Sequence, residues 1–112
     1  MKLVLAYVKT SRLEEVKEAL KNAGIAGLTV SEARGFGRQR GQREVYRGQE
    51  YQVDFVPKVR IEVLCDDAEA PGVVDTIMSA ARTGRIGDSK IAVMPVEQVY
   101  RIRTGEMGSD AL

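Results

Sequence analysis

Between Thr83 and Lys90 the chain reads T-G-R-I-G-D-S-K. Two glycines let main-chain amides come close to an anion, and Arg85 and Lys90 add positive charge, a composition suited to phosphate. A plain helix stop followed by a turn uses the same residues, and composition alone does not separate the two readings. Further on, Arg101 and Arg103 alternate onto one face, which suits either a phosphate clamp or ordinary surface charge. Catalytic candidates are scarce: with no histidine and one cysteine, Cys65, histidine acid/base chemistry and the common zinc sites are unavailable.

A second glycine-bearing run, Arg34-Gly35-Phe36-Gly37, copies the opening of an RNA-recognition motif. That motif continues with aromatics that stack bases; here Arg38-Gln39-Arg40 follow, and aromatics make up 5% of the chain. The dinucleotide fingerprint fails too, because Gly35, Gly37 and Gly41 are spaced one residue too widely and close a strand without opening a helix. From Gly37 to about residue 54 neither helical nor strand periodicity is visible, and the stretch holds four arginines, Tyr46 and Tyr51. A connection of about 18 residues in a compact domain is usually functional or mobile. With Gly37, Gly41 and Gly48 punctuating it, we expect an exposed arm built to meet another protein or to be modified.

The elements that must carry these loops follow from periodicity. Residues 3–8 are apolar on both sides of the pleat, as in a strand covered on both faces. Ser11-Arg12-Leu13-Glu14 reads as a capping box opening a helix whose stripe is Leu13, Val16, Leu20 and Ala23 and whose stop is Gly24. A second strand takes residues 28–36. A third returns from Phe55, with Val59, Ile61 and Val63 on one face and Lys58, Arg60 and Glu62 on the other. Pro71 marks the start of a second helix, with Val73 or Val74, Ile77 and Ala81 as its stripe. Residues 90–96 form a fourth strand, residues 99–103 a short fifth, and the tail from about 104 to 112 has no periodicity. The order β-α-β-β-α-β predicts a ferredoxin-like α+β domain over 1–112, an antiparallel sheet with two helices on one face. Its other face, expected to carry Val4, Ala6, Val8, Val56 and Leu64, needs cover, which predicts a homo-oligomer.

Bulk composition agrees with a globular chain: 112 residues, 44% hydrophobic, 29% charged, with 17 basic against 16 acidic residues and a net charge of +1. No global field draws it to nucleic acid or membrane, so any basic function is local. The start lacks a signal-peptide pattern and no apolar run spans a bilayer, so we expect a cytoplasmic protein.

Five runs together resemble the PII nitrogen-regulatory signal proteins: G-F-G-R-Q-R-G at 35–41, Y-R-G-Q-E-Y at 46–51, V-D-F-V-P-K-V at 53–59, T-G-R-I-G-D-S-K-I at 83–91 and R-I-R-T-G-E at 101–106. The final Asp-Ala-Leu looks like actinobacterial members. The resemblance implies a homotrimer with ATP or ADP in clefts between subunits and an arm, the T-loop, that docks on targets. By matching positions it implies nucleotide contacts from Gly37, Arg38, Gln39, Gly87, Asp88, Ser89 and Lys90, joined by Glu62, Arg101 and Arg103, with Thr29 near the base. It also implies Gln39 on a Mg²⁺ held by the phosphates, Lys58 on a carboxylate of 2-oxoglutarate, Arg47 as a partner contact, and Tyr51 as the substrate of a nucleotidylyl-transferase. The function implied is non-enzymatic sensing of ATP against ADP and of 2-oxoglutarate. The implied targets are an ammonium transporter, which would recruit the protein to the membrane, and regulators or enzymes of nitrogen assimilation. An RNA-binding ferredoxin-like domain is the rival expectation, and a weak ATPase the third. The chain departs from the family pattern at Thr10-Ser11, Gln49, Ser89 and Ala92. Where the family has glycine at 89, a left-handed backbone would cost serine on the order of 1 kcal/mol.

Overall fold

The computed structural model describes residues 1–36 and 55–112, together with the backbone of 45–46 and 49–50. Six strands and two α-helices follow one another as β1 Lys2–Lys9, α1 Leu13–Asn22, β2 Thr29–Gly35, β3 Val45–Tyr46, β4 Gln49–Glu50, β5 Val56–Cys65, α2 Ala70–Ala81 and β6 Ile91–Pro95. Four of the strands form one antiparallel sheet in the order β2-β5-β1-β6, the ferredoxin-like arrangement. β3 and β4 pair with each other, Val45 opposite Glu50 and Tyr46 opposite Gln49. Strands of two residues leave no alternation to read in a sequence.

The core lies between the sheet and the helices. β5 alternates as expected, sending Val59, Ile61, Val63 and Cys65 inward. They meet Val16 and Leu20 of α1 and Ala70, Val73, Ile77 and Ala81 of α2. Each fully buried Leu, Ile or Val contributes about 1.5–3 kcal/mol relative to exposure, so β5 and the two helical stripes hold the fold. Cys65 is part of this core, and burial pushes its thiol up from the ordinary value.

β1 requires a correction. Its register on β5 opposes Val4 to Val63, Ala6 to Ile61 and Val8 to Val59, which puts Val4, Ala6 and Val8 in the core at 0%, 0% and 1% exposure. The helix-free face instead carries Leu3, Leu5 and Tyr7 beside Leu64, Ala92 and Met94, with Val56 on it as expected. A strand apolar on both sides does not reveal which side the helices will cover; pairing with the strictly alternating β5 decides it. The face without helices therefore still carries an apolar patch, beside Lys58, Arg60 and Glu62 of β5.

The helix starts and the C-terminal segment also differ from expectation. Ser11 lies in a 3-10 turn, Thr10–Arg12, and no side chain caps α1 among the described residues. The chain leaves β1 and turns tightly there, while Arg12 donates from Nε (3.0 Å) and Nη2 (2.6 Å) to the Ala80 carbonyl near the end of α2. Glu14 pairs with Lys17 at 2.9 Å. Ala23 is exposed, and Ile25, beyond the left-handed Gly24 (φ 85°), packs on the core in its place. No fifth strand forms among residues 99–103: Tyr100 and Met107 make an isolated bridge around a turn, and Gly108–Ala111 form a 3-10 turn. Single polar contacts fix that segment, including Ser109 Oγ to Asp66 at 2.6 Å and Arg101 Nη2 to the Leu112 carbonyl at 2.7 Å, and such contacts have no period. Among the described residues no helix is long and apolar enough to cross a membrane.

The Arg12 contact gives a direct test. Arg12→Met keeps the stem but removes the donors, and should lower stability by about 1–2 kcal/mol in chemical denaturation. Ser11→Ala, which removes no cap, should change it by less than about 0.5 kcal/mol.

Candidate functional site

The segment from Thr83 to Lys90 leaves α2 and returns to β6 through three left-handed residues, Gly84 (φ 82°), Gly87 (φ 108°) and Ser89 (φ 70°). Glycine takes this conformation freely. Serine does not, so Ser89 stores strain of roughly 1 kcal/mol that its surroundings must offset. They do so through Asp88. Its carboxylate accepts from the amides of Thr83 (2.9 Å) and Gly84 (2.8 Å) and from the Thr83 hydroxyl. Lys9, the last residue of β1, donates to Thr83 Oγ1 at 3.0 Å and lies 3.5 Å from Asp88 Oδ1. The Thr83 hydroxyl first, then the two amides and the Lys9 charge, hold the Asp88 carboxyl well below the usual carboxylate range, against the opposing effect of burial.

Two further contacts seat the segment on the sheet. The Tyr7 amide donates to the Lys90 carbonyl at 3.1 Å, and Lys58 Nζ donates to the Gly87 carbonyl. Between the segment and the strand ends lies a cleft of about 740 Å³. Tyr7 of β1, residues 33–36 at the end of β2 and Lys58 of β5 form its floor; residues 84–90 form its wall. Phe36 packs edge-on against Phe55, ring centres 5.6 Å apart, just past the end of β2 and just before the start of β5. Lys58 stands opposite Lys9 in the β1–β5 register. Partial burial first, and then the Lys9 charge, lower its pKa, while Asp88 opposes the shift.

Among the described residues, Lys58, Lys90, Arg34 and Arg85 line this cleft against one carboxylate, Asp88. That carboxylate already accepts three hydrogen bonds from its own segment, so it presents little charge to an incoming anion. Cations beside left-handed glycines make a cleft suited to a ligand with several negative charges.

The expected site residues therefore fall into four groups. Gly87, Asp88, Ser89, Lys90 and Lys58 come together in the cleft. Thr29 and Glu62 face each other across β2 and β5 on the helix-free side, where Glu62 lies 3.6 Å from Arg60; neither is among the described residues that line the cleft. Arg101 is turned toward its own C-terminal segment, 3.6 Å from Glu106, and Arg103 is exposed on the same turn. Gly37, Arg38, Gln39, Arg47 and Tyr51 lie outside the described residues. Sequence reasoning missed Tyr7 and Lys9, and gave Thr83 and Phe36 no role of their own within the runs it singled out. Lys9 and Thr83 are 74 residues apart, and only strand register brings them together.

Two measurements check this geometry. Because the folded Asp88 pKa is depressed, its stabilising contribution is present above the unfolded value, near 3.8, and is lost only as pH falls through the folded one. A carbon-detected NMR titration should find Asp88 still ionised at pH 3.8. Ser89→Gly should raise stability by up to about 1 kcal/mol in denaturant unfolding, since it removes a side chain from a left-handed position.

A profile of the family described as "Nitrogen regulatory protein P-II" matches residues 1–106. Proteins named nitrogen regulatory protein P-II from Azospirillum brasilense and Nostoc punctiforme are each 58% identical to the chain over 112 residues, and one from Rhizobium meliloti is 57% identical. Each of these matches covers 100% of both chains. Agreement over the whole length includes the segment that walls the cleft and the strand that supplies Lys58, and the chain therefore belongs to the nitrogen regulatory protein P-II family.

Proposed function

We propose that the protein is a non-enzymatic cytoplasmic sensor that reads ATP against ADP, together with 2-oxoglutarate, and passes the result to partners through its arm. The observation that carries this reading is the cleft itself, where Lys58 and Lys90 stand beside the left-handed Gly87. Such a wall suits a polyphosphate, and Gly87, Asp88, Ser89 and Lys90 would meet it mainly through main-chain amides. Arg101, Arg103, Thr29 and Glu62 stand outside the cleft of one chain, and a site closed by a second copy accounts for that separation. The apolar helix-free face supports such an assembly: Leu64, Met94 and Tyr7 are 48%, 38% and 36% exposed there. A homotrimer with nucleotide between subunits is the assembly proposed.

Gly37, Arg38 and Gln39 would complete the phosphate site from the base of the arm over residues 37–54. Gln39 would hold a Mg²⁺, which supplies an oxygen-ligated centre joining the phosphates to the keto acid. Lys58 would take the far carboxylate of 2-oxoglutarate, exchanging the Gly87 carbonyl for a charged acceptor. Different ligand sets would then favour different arm conformations and so different surfaces. Arg47 would enter a pocket or pore of a partner, among them an ammonium transporter at the membrane and regulators or enzymes of nitrogen assimilation. Nucleotidylylation of Tyr51 would add charge and bulk that such a partner rejects.

Calorimetric titration tests the reading. 2-Oxoglutarate should bind only in the presence of Mg-ATP, and Lys58→Met should weaken it by about 2–5 kcal/mol, roughly 30-fold or more, while sparing most of the ATP affinity. Wild-type 2-oxoglutarate affinity in Lys58→Met would sink the assignment, as would a monomer mass by light scattering at micromolar concentration.

A further inference from the structure

Resting on the reading of the cleft as a nucleotide site, the geometry points to Thr83 as the positioning residue of the anion-binding segment, its hydroxyl joining Lys9 of β1 to Asp88 and so fixing the backbone that meets phosphate. Thr83 stands two residues beyond the end of α2, just before the cleft wall. Its oxygen accepts from Lys9 Nζ at 3.0 Å and from the Arg85 amide at 3.2 Å, and its proton goes to Asp88 Oδ1. One donor and two acceptor positions are all a hydroxyl has, so the group is saturated. Asp88 in turn draws in the Thr83 and Gly84 amides, at 2.9 and 2.8 Å.

The direction of support matters. The segment carries its strained residue, Ser89, immediately after Asp88, and strained backbone persists only where its neighbours over-determine it. The relay from Lys9 through Thr83 to Asp88 is one such determination from β1, while the Tyr7 amide of β1 holds Lys90 just before β6 and Lys58 of β5 holds the Gly87 carbonyl. The relay also turns the Asp88 carboxylate back upon its own segment, satisfying a negative charge that would otherwise oppose phosphate. Valine matches threonine in shape but has no hydroxyl, so all three bonds go at once.

The test compares Thr83→Val, Thr83→Ser and the wild type by ATP calorimetry and by NMR titration of the Asp88 carboxyl. Thr83→Val should weaken ATP by about tenfold, the equivalent of ~1.4 kcal/mol, and move the Asp88 midpoint up toward 3.8. Thr83→Ser should restore both. Wild-type ATP affinity in Thr83→Val, or equal losses in the valine and serine variants, overturns the positioning role. If the wild type fails to bind ATP, the reading of the cleft falls; an Asp88 midpoint that Thr83→Val leaves in place then overturns the relay as well. Should Thr83→Val not fold, Lys9→Met probes the relay from its other end, and unchanged ATP affinity there counts against it in the same way.

Discussion

Antiparallel pairing of β1 with β5 is the constraint on which everything else in this molecule depends. β5 alternates strictly, with Val59, Ile61 and Val63 on one face and Lys58, Arg60 and Glu62 on the other, so its orientation toward the helices is not negotiable. β1 is apolar on both faces and takes whichever orientation its partner dictates. Slipping the register by one residue would bring Leu3, Leu5 and Tyr7 inward and strand the smaller Val4, Ala6 and Val8 outside. The core of small β-branched and alanine side chains under α1 and α2 would then no longer fit.

The same register builds the cleft. It sets Lys9 opposite Lys58, which concentrates positive charge at one end of the sheet, and it places the Tyr7 amide where it can donate to the Lys90 carbonyl. Partial burial first, and then repulsion from Lys9 beside it, lower the pKa of Lys58. Asp88 offsets part of that repulsion while its carboxylate is engaged by Thr83 and Gly84. A strained serine beside neighbouring like charges costs stability, and such strain persists only where its surroundings over-determine it. Membership of the nitrogen regulatory protein P-II family sets the chain in nitrogen regulation.

Sequence by itself determined the order and type of the main elements, because β5 and the two helices carry strong periodicity and Gly24, Pro71 and Gly84 punctuate them. It determined the family as well, through five runs spread across the length, while at residues 83–90 composition left an anion-binding loop and a plain helix stop equally open. Tertiary structure alone decided which face of β1 is buried, since a strand apolar on both sides has no period to betray it. It replaced the expected Ser11 cap with a contact from Arg12 to Ala80, and it turned an expected fifth strand into a turn with an isolated bridge. It also showed that Ser89 adopts the left-handed conformation its family position implied. Above all it joined Lys9 to Thr83 and Asp88 and separated Arg101 and Arg103 from the cleft of their own chain. Local patterns encode which residues prefer strand, helix or turn; contacts between residues some 70 positions apart follow from how strands pair, and no local pattern records them.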